Sequence, residues 1–135
     1  MTLIKWDDSL SVNVAQIDRQ HKKLVDMINE LHEAMKTGKG RDATEKIVFN
    51  LLIYAATHFR TEEEYFSKFG YPDANSHEIE HADFVRKVTE FKDDFIKGKL
   101  SLTIEIMNFL SDWLKNHIKG TDKKYVRFFN EKGLK

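Results

Sequence analysis

The sequence predicts an all-α protein, an up-down-up-down antiparallel four-helix bundle with an N-terminal arm. Over four long stretches, core residues recur at alternating steps of four and three positions. This period is typical of helix faces that are buried against neighbouring helices. The single proline and most of the six glycines lie between these stretches, where they would end helices and leave short connections.

The four stretches set the order of the elements. The predicted helices span about residues 18–38, 42–69, 75–97 and 103–129. Residues 1–17 precede them as the arm. Asp18 is expected to cap the first helix, and Asp42–Glu45, with the sequence DATE, resembles a capping box for the second. Asn75 or Ser76 can cap the third helix. We find no linker or repeat, so the 135 residues are expected to form one domain.

Composition excludes several classes of protein. Lysine plus arginine equals aspartate plus glutamate, at 22 each, so the basic excess of a sequence-independent nucleic-acid binder is lacking. No run is long enough to span a membrane, and residues 1–17 lack the apolar core of a signal peptide. The absence of cysteine excludes disulfides, thiolate metal sites and cysteine nucleophiles, and it suits the cytoplasm, which is the expected location.

The predicted core contains a group of ionisable residues. These core positions hold His21, His58, Glu62, His77, His81 and His117. Two pairs, His58–Glu62 and His77–His81, are four residues apart and can converge on one ion. One histidine on an apolar face is usually a hydrogen-bonded core residue, but burying five without a cation would be costly. His32 lies three turns, about 16 Å, from His21 and is left out of the group.

The helical pattern of the fourth stretch is displaced after His117. An apolar residue is due three or four positions later, yet the pattern resumes only with Tyr125, after an acidic residue at Asp122. One inserted residue is what a π-bulge supplies, and Gly120 would ease such a distortion. We therefore predict a bulge or break near residues 118–121, which would turn Asp122 onto the face of His117.

Asp122 and the six core residues offer more nitrogen and oxygen ligands than one ion needs, which indicates two metal ions bridged by the carboxylates. Zinc would tolerate these ligands but rarely gathers so many at one site. A ferritin-like di-iron site would use two Glu-x-x-His pairs, whereas this chain has one, Glu78 to His81.

The motifs resemble those of the hemerythrin family, specifically its single-domain bacterial members. The resemblance covers nearly the whole chain, through Trp6, IDRQH at 17–21, HFRTEEEYF at 58–66, GYP at 70–72, HEIEH at 77–81 and WLKNHIKGTDKKY at 113–125. One departure is Asn13, where a small residue, often glycine, is expected, and it affects only the local turn of the arm.

This resemblance implies that residues 1–135 form a single hemerythrin-like domain with two iron ions (Fe²⁺ or Fe³⁺), an oxo or hydroxo bridge and O2 as ligand. The implied metal ligands are His77, His81 and His117 for one iron, His21 and His58 for the other, and Glu62 and Asp122 as bridges. If both ions are octahedral, one position stays open, on the iron held by His21 and His58. O2 would bind there reversibly as hydroperoxide, with no net charge entering the core.

The O2 pocket is expected to be apolar. Trp113 lies one turn before His117, and Ile118 directly follows that histidine. We expect these two residues and Leu24 to border the O2 site, although ordinary core packing is an alternative interpretation.

The implied function is that of an oxygen carrier or store rather than an enzyme, because no extra acid or base is visible near the ligand set. A monomer is expected, with O2 as its partner, no nucleic acid and no membrane insertion; an oxygenase is a candidate recipient of the O2.

Two alternative functions stay open. One is an O2 or redox sensor that acts through a partner. The other is a di-iron enzyme, for instance one acting on peroxide or nitric oxide, or a protein that handles iron.

Overall fold

The computed structural model describes residues 4–98 and 102–135. The prediction of an all-α four-helix bundle is confirmed. The first three helices are α1 (Ala15–Lys36), α2 (Gly40–Phe69) and α3 (Ala74–Ile96). The fourth consists of α4 (Leu102–Trp113), a π-helical segment (Leu114–Thr121), a 3₁₀ turn (Asp122–Tyr125) and α5 (Val126–Glu131). No helix in the described ranges is both long enough and apolar enough to cross a membrane.

The predicted helix caps are wrong at all three N-termini. α1 begins after Val14, α2 after Lys39 and α3 after Asp73, and none of these residues makes a capping hydrogen bond through its side chain. Asp18 instead lies in the first turn of α1, where it accepts hydrogen bonds from Ser11 Oγ at 2.6 Å and Val12 N at 2.8 Å. It therefore fastens the arm to the bundle.

The arm keeps its turn despite the departure at Asn13. This residue has a φ of 54°, in the left-handed region that glycine adopts most readily and that asparagine tolerates better than most residues. Its side chain donates to Asn130 Oδ1 at 2.7 Å, and Asn130 Nδ2 donates back to the Asn13 carbonyl at 3.1 Å. The arm is thereby joined to the C-terminal end of the bundle.

The fourth helix is interrupted, as the displaced pattern predicted. The π-helical segment begins at Leu114, earlier than the expected 118–121, and it ends at Thr121. The backbone N–H of Asp122 donates to the carbonyl of His117, five residues back, in the hydrogen-bonding pattern of a π-helix. The prediction of a bulge is thus confirmed, and the single helix expected over 103–129 is divided.

Two apolar clusters lie on either side of the predicted metal ligands. Along a helix, one cluster precedes the ligands and the other follows them. In α1, Ile17 belongs to one cluster and Leu24 to the other, with His21 between them. In the fourth helix, Ile118 and Phe129 belong to different clusters and lie on either side of Asp122. The ionisable residues therefore form a polar layer that is closed off from water at both ends.

Candidate metal centre

All four helices contribute to the polar layer. α1 brings His21, α2 brings His58 and Glu62, α3 brings His77 and His81, and the interrupted fourth helix brings His117 and Asp122. Each of these residues is at most 2% exposed. The structure therefore brings together all seven residues that the sequence singled out. His32 is half-buried and lies outside both of the groups described next.

The seven residues form two overlapping groups. The first contains Glu62, His77, His81, His117 and Asp122, and the second contains His21, His58, Glu62 and Asp122. Within each group the candidate ligand atoms lie within 4.8 Å of one another. Both carboxylates belong to both groups, whereas each histidine belongs to only one. This is the arrangement that two adjacent cations with shared carboxylates would need.

The carboxylate oxygens of Asp122 face the two groups separately. Oδ1 lies 2.9 Å from His77 Nε2 and 3.0 Å from His117 Nε2, whereas Oδ2 lies 3.2 Å from His21 Nε2. Asp122 can therefore offer one oxygen to each of two ions. The π-helical segment makes this possible, because a spacing of five residues in a regular α-helix would turn Asp122 away from His117.

Glu62 occupies the other shared position. Its Oε1 lies 3.1 Å from His81 Nε2 and 3.4 Å from His58 Nε2, so this oxygen is close to both groups. The second oxygen, Oε2, accepts a hydrogen bond from the hydroxyl of the fully buried Tyr125. Sequence reasoning missed this contact, since Tyr125 fitted the apolar pattern of its helix.

The buried polar atoms of the layer show whether these residues could hold metal ions. Among the described residues, Glu62 Oε1, both Asp122 oxygens, and the Nε2 atoms of His77, His81 and His117 are buried without a hydrogen-bond partner. Several approach one another closely, but not in hydrogen-bonding geometry. Burying so many unsatisfied polar atoms is costly, and cations would satisfy them together. Imidazole and carboxylate donors without thiolate suit several divalent metals, iron among them. The residues therefore fit a pair of such ions.

The charges also favour cations. Burial and the nearby Asp122 both act to raise the pKa of Glu62, but His58 and His81 outweigh them and bring it to about 2. Burial also opposes ionisation of Asp122, yet the nearby His117, His21 and His77 hold its pKa well below the usual range. Both carboxylates are thus ionised at neutral pH. Burial lowers the pKa of His58 to about 3, which keeps this imidazole neutral and able to bind metal.

A second ring of contacts fixes three of the histidines from outside. The Nδ1 atoms of His58, His81 and His117 lie within 2.7–2.8 Å of side-chain oxygens of Gln20, Glu63 and Glu80, respectively. With Nδ1 as the donor in each pair, a neutral ring has its lone pair on Nε2, the nitrogen that faces the carboxylates. The sequence analysis missed these three partners. Their one hint in the sequence is adjacency, since Gln20, Glu63 and Glu80 stand directly next to His21, Glu62 and His81.

The residues expected to border O2 lie in different surroundings. Leu24 and Ile118 are fully buried in one apolar cluster. The ring of Trp113 stacks on His117, with 3.8 Å between the ring centroids and 13° between the planes. Trp113 therefore contacts the three-histidine group. A cavity of about 260 Å³ includes His58 and Tyr54 in its lining, but none of the three predicted residues.

Comparison with known proteins identifies the family. A family model described as "Hemerythrin HHE cation binding domain" matches residues 12–129. The chain belongs to the hemerythrin family. The resemblance of its motifs to hemerythrins is thus confirmed, and the match includes all seven residues of the polar layer.

Similar proteins support the same assignment. The chain is 35% identical to the bacteriohemerythrin of Stenotrophomonas maltophilia (strain R551-3) over 126 residues, which cover 93% of this chain and 81% of that protein. It is also 35% identical to the bacteriohemerythrin of Methylococcus capsulatus over 93% of this chain and 95% of the relative. A crystal structure of wild-type hemerythrin superposes with a TM-score of 0.82 at 34% identity, covering 93% of this chain and 96% of that one.

Proposed function

We propose that this hemerythrin binds O2 reversibly at a pair of iron ions and serves as an oxygen carrier or store. The observation that carries the proposal is the sharing of Glu62 and Asp122 between two unequal groups of histidines. His77, His81 and His117 would hold one iron, and His21 and His58 the other. When bound, the two irons would supply the two electrons that O2 takes up on binding and returns on release.

The unequal number of histidines supports a site for a small ligand. The group with His21 and His58 has one histidine fewer than the group with His77, His81 and His117. An ion held by fewer protein ligands keeps a position open, which separates a reactive metal site from a closed structural one. We therefore assign O2 binding to the side of His21 and His58.

The surrounding residues would keep the exchange reversible. The Nδ1 atoms of His58, His81 and His117 are already engaged, which fixes these rings and leaves their Nε2 atoms for metal. The fully buried Leu24 and Ile118 belong to the apolar cluster at one end of the polar layer. We propose that these two residues, with Trp113, exclude water and so slow the loss of reduced oxygen species from the site.

The neighbouring acidic groups favour a carrier over an enzyme. Glu63 and Glu80 lie close to the centre, but both are engaged with histidine rings. Tyr54 stacks on His58, with 5.1 Å between the ring centroids, and burial raises its pKa well above the usual value. None of these three groups is suited to deliver a proton to a substrate near neutral pH.

The cytoplasmic location, the monomeric state and an oxygenase as recipient of O2 stay predictions.

The first experiment is anaerobic reconstitution with ferrous iron, followed by visible spectra through cycles of air and argon. We expect two irons per chain and a charge-transfer band that appears with O2 and fades under argon. His58→Ala should abolish the band, whereas His32→Ala, which removes the histidine outside the centre, should leave it unchanged.

Two results would contradict this function. Prompt irreversible oxidation without the band would leave a di-iron site but favour a redox sensor or an enzyme. Fewer than two irons per chain in the wild-type protein would contradict the di-iron centre itself.

A further inference from the structure

The outer partners of the histidines differ in charge. In the three-histidine group, His81 and His117 bond to carboxylates, those of Glu63 and Glu80, each at 2.8 Å. In the two-histidine group, His58 bonds instead to a neutral amide, that of Gln20, at 2.7 Å. The two groups therefore differ in their outer charge as well as in their number of histidines.

Glu80 is held in place from two sides. It lies on α3 and accepts from His117 on the π-helical segment. Thr121, the last residue of that segment, donates its hydroxyl to both oxygens of Glu80, at 2.8 and 3.1 Å. The His117 ring also stacks with one face against Trp113. The carboxylate and the imidazole are thus fixed relative to each other.

Glu63 and His81 form a similar pair between α2 and α3. The His81 ring is stacked on Phe59, with 3.9 Å between the centroids and 6° between the planes, and its Nδ1 faces Glu63. On the other side of the centre, Gln20 is oriented as an acceptor, because its amide nitrogen donates to Thr61 Oγ1 at 3.1 Å. The oxygen of Gln20 is therefore the atom that faces His58.

We propose that Glu63 and Glu80 are positioning residues that make the centre unequal, so that the three-histidine side holds its cation more tightly and is filled first. A carboxylate that accepts the Nδ1–H of an imidazole makes Nε2 a stronger donor to metal, and it adds negative charge near the cation. A neutral amide orients the ring without that charge. The inference rests on the proposed two-metal centre.

The structure offers its own reporter for the test. Trp113 stacks directly on His117, so a paramagnetic ion bound there should quench its fluorescence. The chain has two tryptophans, and Trp6→Phe makes Trp113 the only one. We would titrate the metal-free, full-length Trp6→Phe protein with Co²⁺ under argon, following Trp113 fluorescence together with the visible absorption of the bound Co²⁺.

We expect two binding steps in this background, with most of the quenching in the first. Glu80→Gln and Glu63→Gln keep an acceptor oxygen but remove the charge, and each should weaken the first step by about 10- to 100-fold while changing the second much less. Gln20→Glu should strengthen the second step, a gain that a purely structural role would not give. Glu64→Gln is the matched control, because Glu64 pairs on the surface with Arg60 and not with a histidine.

Several outcomes would overturn the inference. It fails if Glu63→Gln and Glu80→Gln bind Co²⁺ as Glu64→Gln does, or if both steps weaken equally in these variants. Should Glu80→Gln not fold, Glu63→Gln and Gln20→Glu decide the matter alone. Unchanged two-step binding in the variants would leave the proposed function intact, whereas fewer than two Co²⁺ per wild-type chain would contradict both proposals.

Discussion

Asp122 and Glu62 illustrate how single residues set the chemistry of the centre. Each is fully buried, and each has a pKa held below its usual value by neighbouring histidines. The two carboxylates differ in what their second oxygen contacts. Asp122 uses both oxygens toward histidines, whereas Glu62 gives one oxygen to the hydroxyl of Tyr125. Tyr125 therefore restrains one of the two shared carboxylates, and the backbone of the π-helical segment restrains the other.

A first prediction, at this scale, concerns Ile118, which is fully buried next to His117 in the sequence. Ile118→Glu should speed the conversion of the O2-bound form to the inactive diferric form several-fold, because a buried carboxylate brings charge and water into the apolar surroundings of the centre. The measurement is the decay of the visible band in air. Ile104→Glu is the control, since Ile104 is 56% exposed. Equal decay rates in the two variants would contradict a pocket role for Ile118.

At the scale of elements, the interruption of the fourth helix decides which residues face the core. The π-helical segment adds one residue between His117 and Tyr125 relative to the α-helical repeat, so Asp122 and Tyr125 both reach the interior. The same segment ends at Thr121, whose hydroxyl holds Glu80 of α3. This one local departure from α-helical geometry thus has three consequences. It places the shared carboxylate of Asp122 in the core, it places Tyr125 against Glu62, and it places Thr121 against Glu80.

A second prediction compares two glycines. Gly120 lies in the π-helical segment without a positive φ, and a Cβ there would meet nothing within 4 Å. The expectation that this glycine eases the distortion is therefore not supported, and Gly120→Ala should stabilise the protein by about 0.4–1 kcal/mol. Gly70 ends α2 with a φ of 70°, so Gly70→Ala should destabilise it by about 1–2 kcal/mol. Denaturant unfolding measures both, and a loss of stability in Gly120→Ala would contradict the first expectation.

At the scale of the whole molecule, stability and metal binding are linked. The polar layer crosses the middle of the bundle between two apolar clusters, and it contains buried atoms that lack partners within the described residues. Such a layer weakens a small core unless cations complete it. Each of the four helices contributes at least one residue to the layer, so an ion bound there would join elements that are far apart in the sequence.

A third prediction follows from this linkage. Removal of metal should lower the free energy of unfolding, and a free metal concentration 100-fold above the dissociation constant of one site should restore about 2.7 kcal/mol through that site. Thermal unfolding of the metal-free chain with and without Co²⁺ under argon measures the effect. The double variant His58→Ala/His81→Ala, which removes one histidine from each group, should respond much less. A midpoint that is independent of metal in the wild-type chain would contradict the linkage.

The sequence by itself determined the bundle, the seven residues of the polar layer and the displacement after His117. These features follow from helical periodicity, which is a property of neighbouring positions in one chain. The helix caps were predicted wrongly, because α1, α2 and α3 each begin before the residues that local capping preferences singled out. Only the tertiary structure assigned Gln20, Glu63, Glu80 and Tyr125 as partners. Their bonds join different helices across 18 to 63 residues, and such contacts depend on how each helix is rotated and shifted against its neighbours.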